Sequence, residues 1–116
     1  MLIEALQVGD LEQFRELLNE VRNAEGRNLL EDGQFTALCH AVRSREVEVY
    51  VAKECGVLAG FSAVSMQFRL ESCAYETEFR GHYIRPPYRN SDLERRLNEF
   101  MTDALKIRGL SLPAGF

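Results

Sequence analysis

The 116-residue chain is 46% hydrophobic and 28% charged with a net charge of −4, which fits one soluble globular domain over residues 1–116 and disfavours a general nucleic-acid binder. No apolar run approaches the roughly 18 residues of a membrane span, and Met1-Leu2-Ile3-Glu4 opens no signal-peptide pattern, so the expectation is a cytoplasmic protein with no membrane partner. Cys39, Cys55 and Cys73 are odd in number and lie in no CxxC pair, which argues against a disulfide framework or a zinc site.

Leu2 to Leu6 is a short apolar-rich run and reads as a first strand, broken by Val8-Gly9-Asp10. Asp10 then serves as an N-cap, with Gln13 three residues on in the pattern of a capping box. Leu11, Phe14, Leu17, Leu18 and Val21 follow at helical spacing, with Glu12, Arg15, Glu16 and Asn19 on the opposite face. Asn23 to Gly33 is polar and reads mostly as loop. Phe35 to Val42 reads as a second, shorter helix. It sets Cys39 beside His40, but neighbours on a helix point about 100° apart, so the pair makes a poor nucleophilic or metal site.

Val47, Val49 and Val51 alternate with Glu48, Tyr50 and Ala52, the period of a half-buried strand. Lys53-Glu54-Cys55-Gly56 reads as a hairpin turn with Gly56 suited to positive φ. The returning strand runs from Val57 to about Phe68, and Leu70 to Ser72 turn the chain again. Cys73 to Ile84 complete an antiparallel meander that Pro86-Pro87 ends. Gly81 inside this third strand marks a bulge or a close backbone approach.

The last helix runs from about Asp92 to Arg108 on a stripe of Leu93, Leu97, Phe100, Met101, Ala104 and Leu105, and Gly109 ends it. Leu110-Ser111-Leu112 reads as the start of a further strand that Pro113 stops. Residues 85–108 hold six Arg or Lys against four Asp or Glu, a net of +2 that leaves −6 on the rest of the chain. So mildly basic a segment suits an anionic ligand. The order is β-α-α-β-β-β-α, an α+β chain around a mostly antiparallel sheet.

This order is similar to the N-terminal two-thirds of the GNAT (GCN5-related N-acetyltransferase) superfamily. Val49-Tyr50-Val51-Ala52 followed by Gly56-Val57-Leu58-Ala59-Gly60-Phe61 resembles the family's second and third strands. Tyr83-Ile84-Arg85-Pro86-Pro87-Tyr88-Arg89 resembles its fourth strand running into the acyl-CoA loop, and the helix from Asp92 its third helix. The resemblance implies an α/β-type GNAT-like domain in which the family's fifth strand, fourth helix and last two strands are missing. It implies acetyl-CoA as cofactor and an amine acceptor that the sequence does not name.

The resemblance also assigns cofactor-binding positions: His82, Tyr83 and Ile84 on the third strand of the meander, then Arg89, Asn90, Ser91, Asp92, Leu93, Glu94 and Arg95 in the loop and helix start. In the family this loop reads Arg/Gln-x-x-Gly-x-Gly/Ala. Its glycines let helix N-terminal amides approach the pyrophosphate. Here Arg89 is retained, but Asp92 and Glu94 stand at the two glycine positions. Ser91-Asp92-Leu93-Glu94 also fits a capping box, with Ser91 accepting from the Glu94 N–H and the Glu94 carboxylate returning to the Ser91 N–H. Such a cap contributes on the order of 1 kcal/mol and occupies the donors a pyrophosphate needs.

The family's general base is often a glutamate near its fourth strand, so Glu78 and His82 are the candidate catalytic residues, with Glu76 beside them on one face by parity. Two functions follow. One is an acetyl-CoA-dependent N-acetyltransferase. The other is an inactive GNAT-like module that binds a protein partner or dimerises through the strand edge that the family's fifth strand covers.

Overall fold

The computed structural model describes residues 1–89 and 92–113. Strands β1 (Leu2–Ala5), β2 (Val47–Glu54), β3 (Val57–Arg69) and β4 (Ala74–Ile84) form one antiparallel sheet in the order β1-β2-β3-β4. The helices are α1 (Leu11–Ala24), α2 (Asp32–Arg43) and α3 (Leu93–Ile107). The α+β order expected from the sequence is observed, with 3-10 turns added at Val8–Asp10 and Pro86–Tyr88.

The period of two along the strands sends alternate side chains to two separate cores. Val49, Val51, Phe61 and Ala63 pack with Phe14 and Leu17 of α1, and Leu38 and Val42 of α2 lie at the margin. Tyr50, Ala52, Val64 and Ile84 pack with Leu93, Leu97, Met101 and Leu105 of α3. β2 is therefore not half-buried as its alternation suggested. Both of its faces are covered, and Val49, Tyr50, Val51 and Ala52 are all buried. Burying a leucine such as Leu97 contributes about 1.5–3 kcal/mol, and α3 carries a row of such residues at helical spacing.

Two local expectations change. Asp10 and Gln13 form no capping box. The Asp10 carboxylate accepts from Gln7 N–H at 2.9 Å and pairs with Lys53 Nζ at 2.8 Å. Gln13 instead clasps the β2–β3 hairpin, donating to the Gly56 carbonyl and accepting from Leu58 N–H, each at 3.0 Å. Tertiary partners displaced the local cap because they satisfy backbone groups at the hairpin end. At the C-terminal side, Leu110 does not begin a strand. The Leu110 and Gly109 amides close α3 in a Schellman motif on the carbonyls of Leu105 and Lys106. The Ser111 carbonyl then accepts from the Thr77 hydroxyl at 2.6 Å.

Close approach explains one glycine. A Cβ at Gly60 would stand 2.7 Å from Ile84 Cδ1 and 2.8 Å from the Tyr83 carbonyl, so β3 and β4 come together here only because residue 60 has no side chain.

Candidate functional site

β4 is the sheet edge next to β3, and its end is held firmly. Arg85 donates through its backbone N–H to the Ala59 carbonyl and through Nη1 to the Leu58 carbonyl, each at 2.9 Å. Its guanidinium also pairs with Glu20 of α1 at 2.8 Å. Backbone groups alternate along an antiparallel strand. With Arg85 facing β3, Tyr83 faces β3 as well, and the N–H and C=O groups of His82 and Ile84 face the open edge.

One residue earlier the strand is irregular. Ala63 pairs with Gly81 and Val64 with Phe79, so Arg80 is an extra residue in a β-bulge. Gly81 has φ 142, a conformation that suits glycine. The bulge reverses the side-chain parity of everything after it.

Beyond β4, Pro86–Tyr88 turns the chain toward α3. Arg89 donates from Nε to the Ile84 carbonyl at 2.8 Å, and its guanidinium lies 5.4 Å from the centre of the Tyr83 ring. Asp92 is the N-cap of α3 without a side-chain cap bond. Its carboxylate is taken by Arg95 Nη2 at 2.6 Å, and Arg95 also binds Glu99 at 2.8 Å; these two carboxylates raise the Arg95 pKa, Glu99 more than Asp92. Glu94 turns back to β4, where its Oε1 lies 3.0 Å from His82 Nε2. Phe79 flanks the imidazole with its ring centre 5.8 Å away.

Two clefts meet at this point. One, of about 330 Å³, is lined by His82, Tyr83, Ile84, Tyr88, Arg89 and Glu94. The other, of about 380 Å³, opens on the α1/α2 side, with Phe61, Ala63 and Gly81 in its wall, and reaches His82 from the opposite direction.

No family model and no curated protein sequence matches this chain at a significant level, but solved structures do. A probable acetyltransferase superposes with a TM-score of 0.80 at 17% identity, over 99% of this chain and 82% of its own. A ribosomal-protein-alanine N-acetyltransferase from Brucella melitensis biovar Abortus 2308 gives 0.75 at 19% identity, over 96% and 75%. A predicted acetyltransferase from Clostridium acetobutylicum, solved with acetyl-CoA, gives 0.76 at 10% identity, over 97% and 81%. The chain has the GNAT acetyltransferase fold.

Within this GNAT fold, His82, Tyr83, Ile84, Arg89 and Glu94 come together around the first cleft. Asp92 and Arg95 stand beside it on α3, paired to each other, and Leu93 is buried in the core rather than presented to the cleft. Asn90 and Ser91 lie outside the described residues, and so does the Ser91 half of the expected capping box. Glu94 Oε1 is seen 3.0 Å from His82 Nε2.

Glu76, Glu78 and His82 do not share one face. Glu76 and Glu78 oppose Gln67 and Ser65 on the α1/α2 side. After the bulge, His82 opposes Ser62, whose hydroxyl points at Met101 of α3. Glu78 is exposed and pairs with Arg80 at 3.2 Å, away from His82. The sequence reading also missed Tyr88 as a cleft residue and missed the second cleft entirely. Its one sequence signal is the weak apolar stripe of α2, which buries no residue completely.

Proposed function

We propose that this chain is an acetyl-CoA-dependent N-acetyltransferase domain that transfers an acetyl group to an amine. The observation that carries the reading is His82, which lines both clefts and has its Nε2 3.0 Å from Glu94 Oε1. In neutral His82, donation from Nε2 to Glu94 leaves Nδ1 as the acceptor. That nitrogen would take the proton from an amine that reaches around the open edge of β4 to the α3 face, where the imidazole stands. Glu94 is then a positioning residue that sets the imidazole tautomer. Glu78, facing the other way in an ion pair, is the weaker candidate base.

The residues fit the cofactor unevenly. The outward N–H and C=O of His82 and the N–H of Ile84, whose carbonyl already accepts from Arg89, suit the amides of a pantetheine arm, and Arg89 suits a phosphate. When bound, acetyl-CoA supplies the activated acyl thioester. Asp92 and Glu94 oppose its diphosphate, by roughly 1 kcal/mol each where solvated, although Arg95 and His82 already engage their charges.

Thermal unfolding with and without acetyl-CoA tests the proposal, because a ligand of the folded state alone must raise Tm. A rise that saturates with acetyl-CoA is expected. No rise at millimolar concentration overturns it.

A second reading is favoured by the two carboxylates at the start of α3. It is a GNAT-fold module that binds no acetyl-CoA and uses the β4 edge to pair with a second copy. Light scattering after size exclusion tests it, and a clean monomer removes it.

A further inference from the structure

The cleft on the α1/α2 side has a chemistry of its own. Its floor is apolar: Leu18, Val21, Leu38 and Val47 are only half-buried there, and Phe61 closes the bottom. α2 stands over this floor without burying any of its own residues. Half-exposed aliphatic groups gathered in a concavity are a place for an apolar ligand group rather than a finished core. The volume of about 380 Å³ falls at the low end of small-ligand sites, roughly 300–1,000 Å³.

The rim is charged with one sign in excess. Arg22, Arg27 and Arg80 stand with Glu25 in the lining and with Glu78 beside Arg80, three positive groups to two negative. Arg22 uses Nε for the Asn28 carbonyl at 2.6 Å and has no carboxylate partner among the described residues. Arg27 holds Glu25 loosely at 3.6 Å. Arg80 sits at the bulge, where its Nε donates to Ser65 and Nη2 reaches Glu78. Guanidinium groups in this setting select carboxylates. A polycationic amine would meet the same rim as repulsion. His82 touches the cleft beside Gly81, with its imidazole turned to the α3 face.

We infer that the acceptor is a small amine carrying both an apolar side chain and a carboxylate, the pattern of an apolar α-amino acid. The inference rests on the acetyltransferase reading for what happens to the amine, but not for the binding itself. The apolar side chain lies on Leu18, Val21 and Leu38. The carboxylate is held by Arg22 and Arg80, and the amine points to the edge of β4 at Gly81 and His82.

Amide NMR shifts of the full chain, recorded without acetyl-CoA, test the assignment. The probes are L-leucine, isopentylamine (the same apolar body and amine without the carboxylate) and spermidine. L-leucine is expected to shift the amides of Val21, Ala63 and Gly81 and to bind about tenfold tighter than isopentylamine, the factor of one guanidinium–carboxylate contact. Spermidine is expected to leave those amides unmoved. Arg22→Gln with Arg80→Gln, at a half-buried and an exposed position, should bring L-leucine down to isopentylamine and should not weaken isopentylamine. No shift with L-leucine, equal binding of L-leucine and isopentylamine, or binding of spermidine each overturns the inference. Because acetyl-CoA is left out, bound L-leucine with no thermal shift from acetyl-CoA removes the acetyltransferase reading and leaves this site standing.

Discussion

His82 Nε2 lies 3.0 Å from Glu94 Oε1, which ties the open edge of β4 to the first turn of α3. Glu94 thus does two things with opposite consequences. Under the proposed function it orients the candidate base, and it puts a negative charge where the resemblance to the GNAT loop would set the diphosphate of the cofactor.

Glu94→Gly separates the two. Acetyl-CoA should bind several-fold tighter, since about 1 kcal/mol of repulsion is removed. The rate constant kcat should fall about ten- to hundredfold, since the imidazole loses its partner. Calorimetric titration and steady-state kinetics measure the two effects. Weaker cofactor binding by the variant would refute the repulsion argument.

Gly60→Ala should destabilise the fold by about 1–3 kcal/mol, the usual effect of overpacking a tight site. The new Cβ would meet the Tyr83 carbonyl at 2.8 Å, and backbone gives way less readily than a side chain. The midpoint of urea unfolding measures the loss. Because Ile84 would be displaced too, acetyl-CoA affinity should fall with it.

Lys53 holds β1 and the turn before α1 to β2, pairing with Glu4 at 2.6 Å and Asp10 at 2.8 Å. Hydrogen bonds to Asp10, then Glu4, raise its pKa above the ordinary 10.5. A raised folded pKa means that the folded state holds this proton more tightly than the unfolded one. The stabilisation is complete below about pH 10.4 and fades as pH climbs through the folded value. Lys53→Met should cost about 2–4 kcal/mol near neutral pH by leaving two largely covered carboxylates unpaired. In unfolding curves recorded across the alkaline range, the wild type should lose stability and the variant should show less of that loss.

The hairpin between β2 and β3 turns on Cys55 and Gly56, with φ 51 and 80. Both central residues of such a turn need positive φ, and Asn-Gly is the favoured pair. Cys55→Asn should stabilise by about 0.5 kcal/mol and leave activity unchanged, since neither turn residue lines either cleft. An unchanged or lowered Tm argues against this account.

Much of the architecture was legible because it rests on periodicity. The stripe Leu93, Leu97, Met101 and Leu105 marked α3, and the same residues are its buried face. Gly109 marked the helix end and Pro86-Pro87 the end of β4, since both act through local backbone geometry. At the candidate site the sequence reading named positions but not their orientation. His82, Tyr83, Ile84, Arg89 and Glu94 were named from their resemblance to GNAT sequences, and they line one cleft. Glu76 and Glu78 were grouped with His82 because simple parity has no term for an extra residue.

By itself, then, the sequence determined the order of the elements and their apolar faces, since each follows from neighbours along the chain. Only the tertiary structure decided where those residues point. Arg80 enters β4 as an extra residue opposite β3, and that bulge turns His82 from the side of Glu78 to that of α3. Glu94, read from sequence as a local cap, meets His82 across the cleft because α3 packs its leucines on the sheet and brings its first turn to the edge of β4. Neither contact exists between neighbours in sequence, so only the packed sheet could set them.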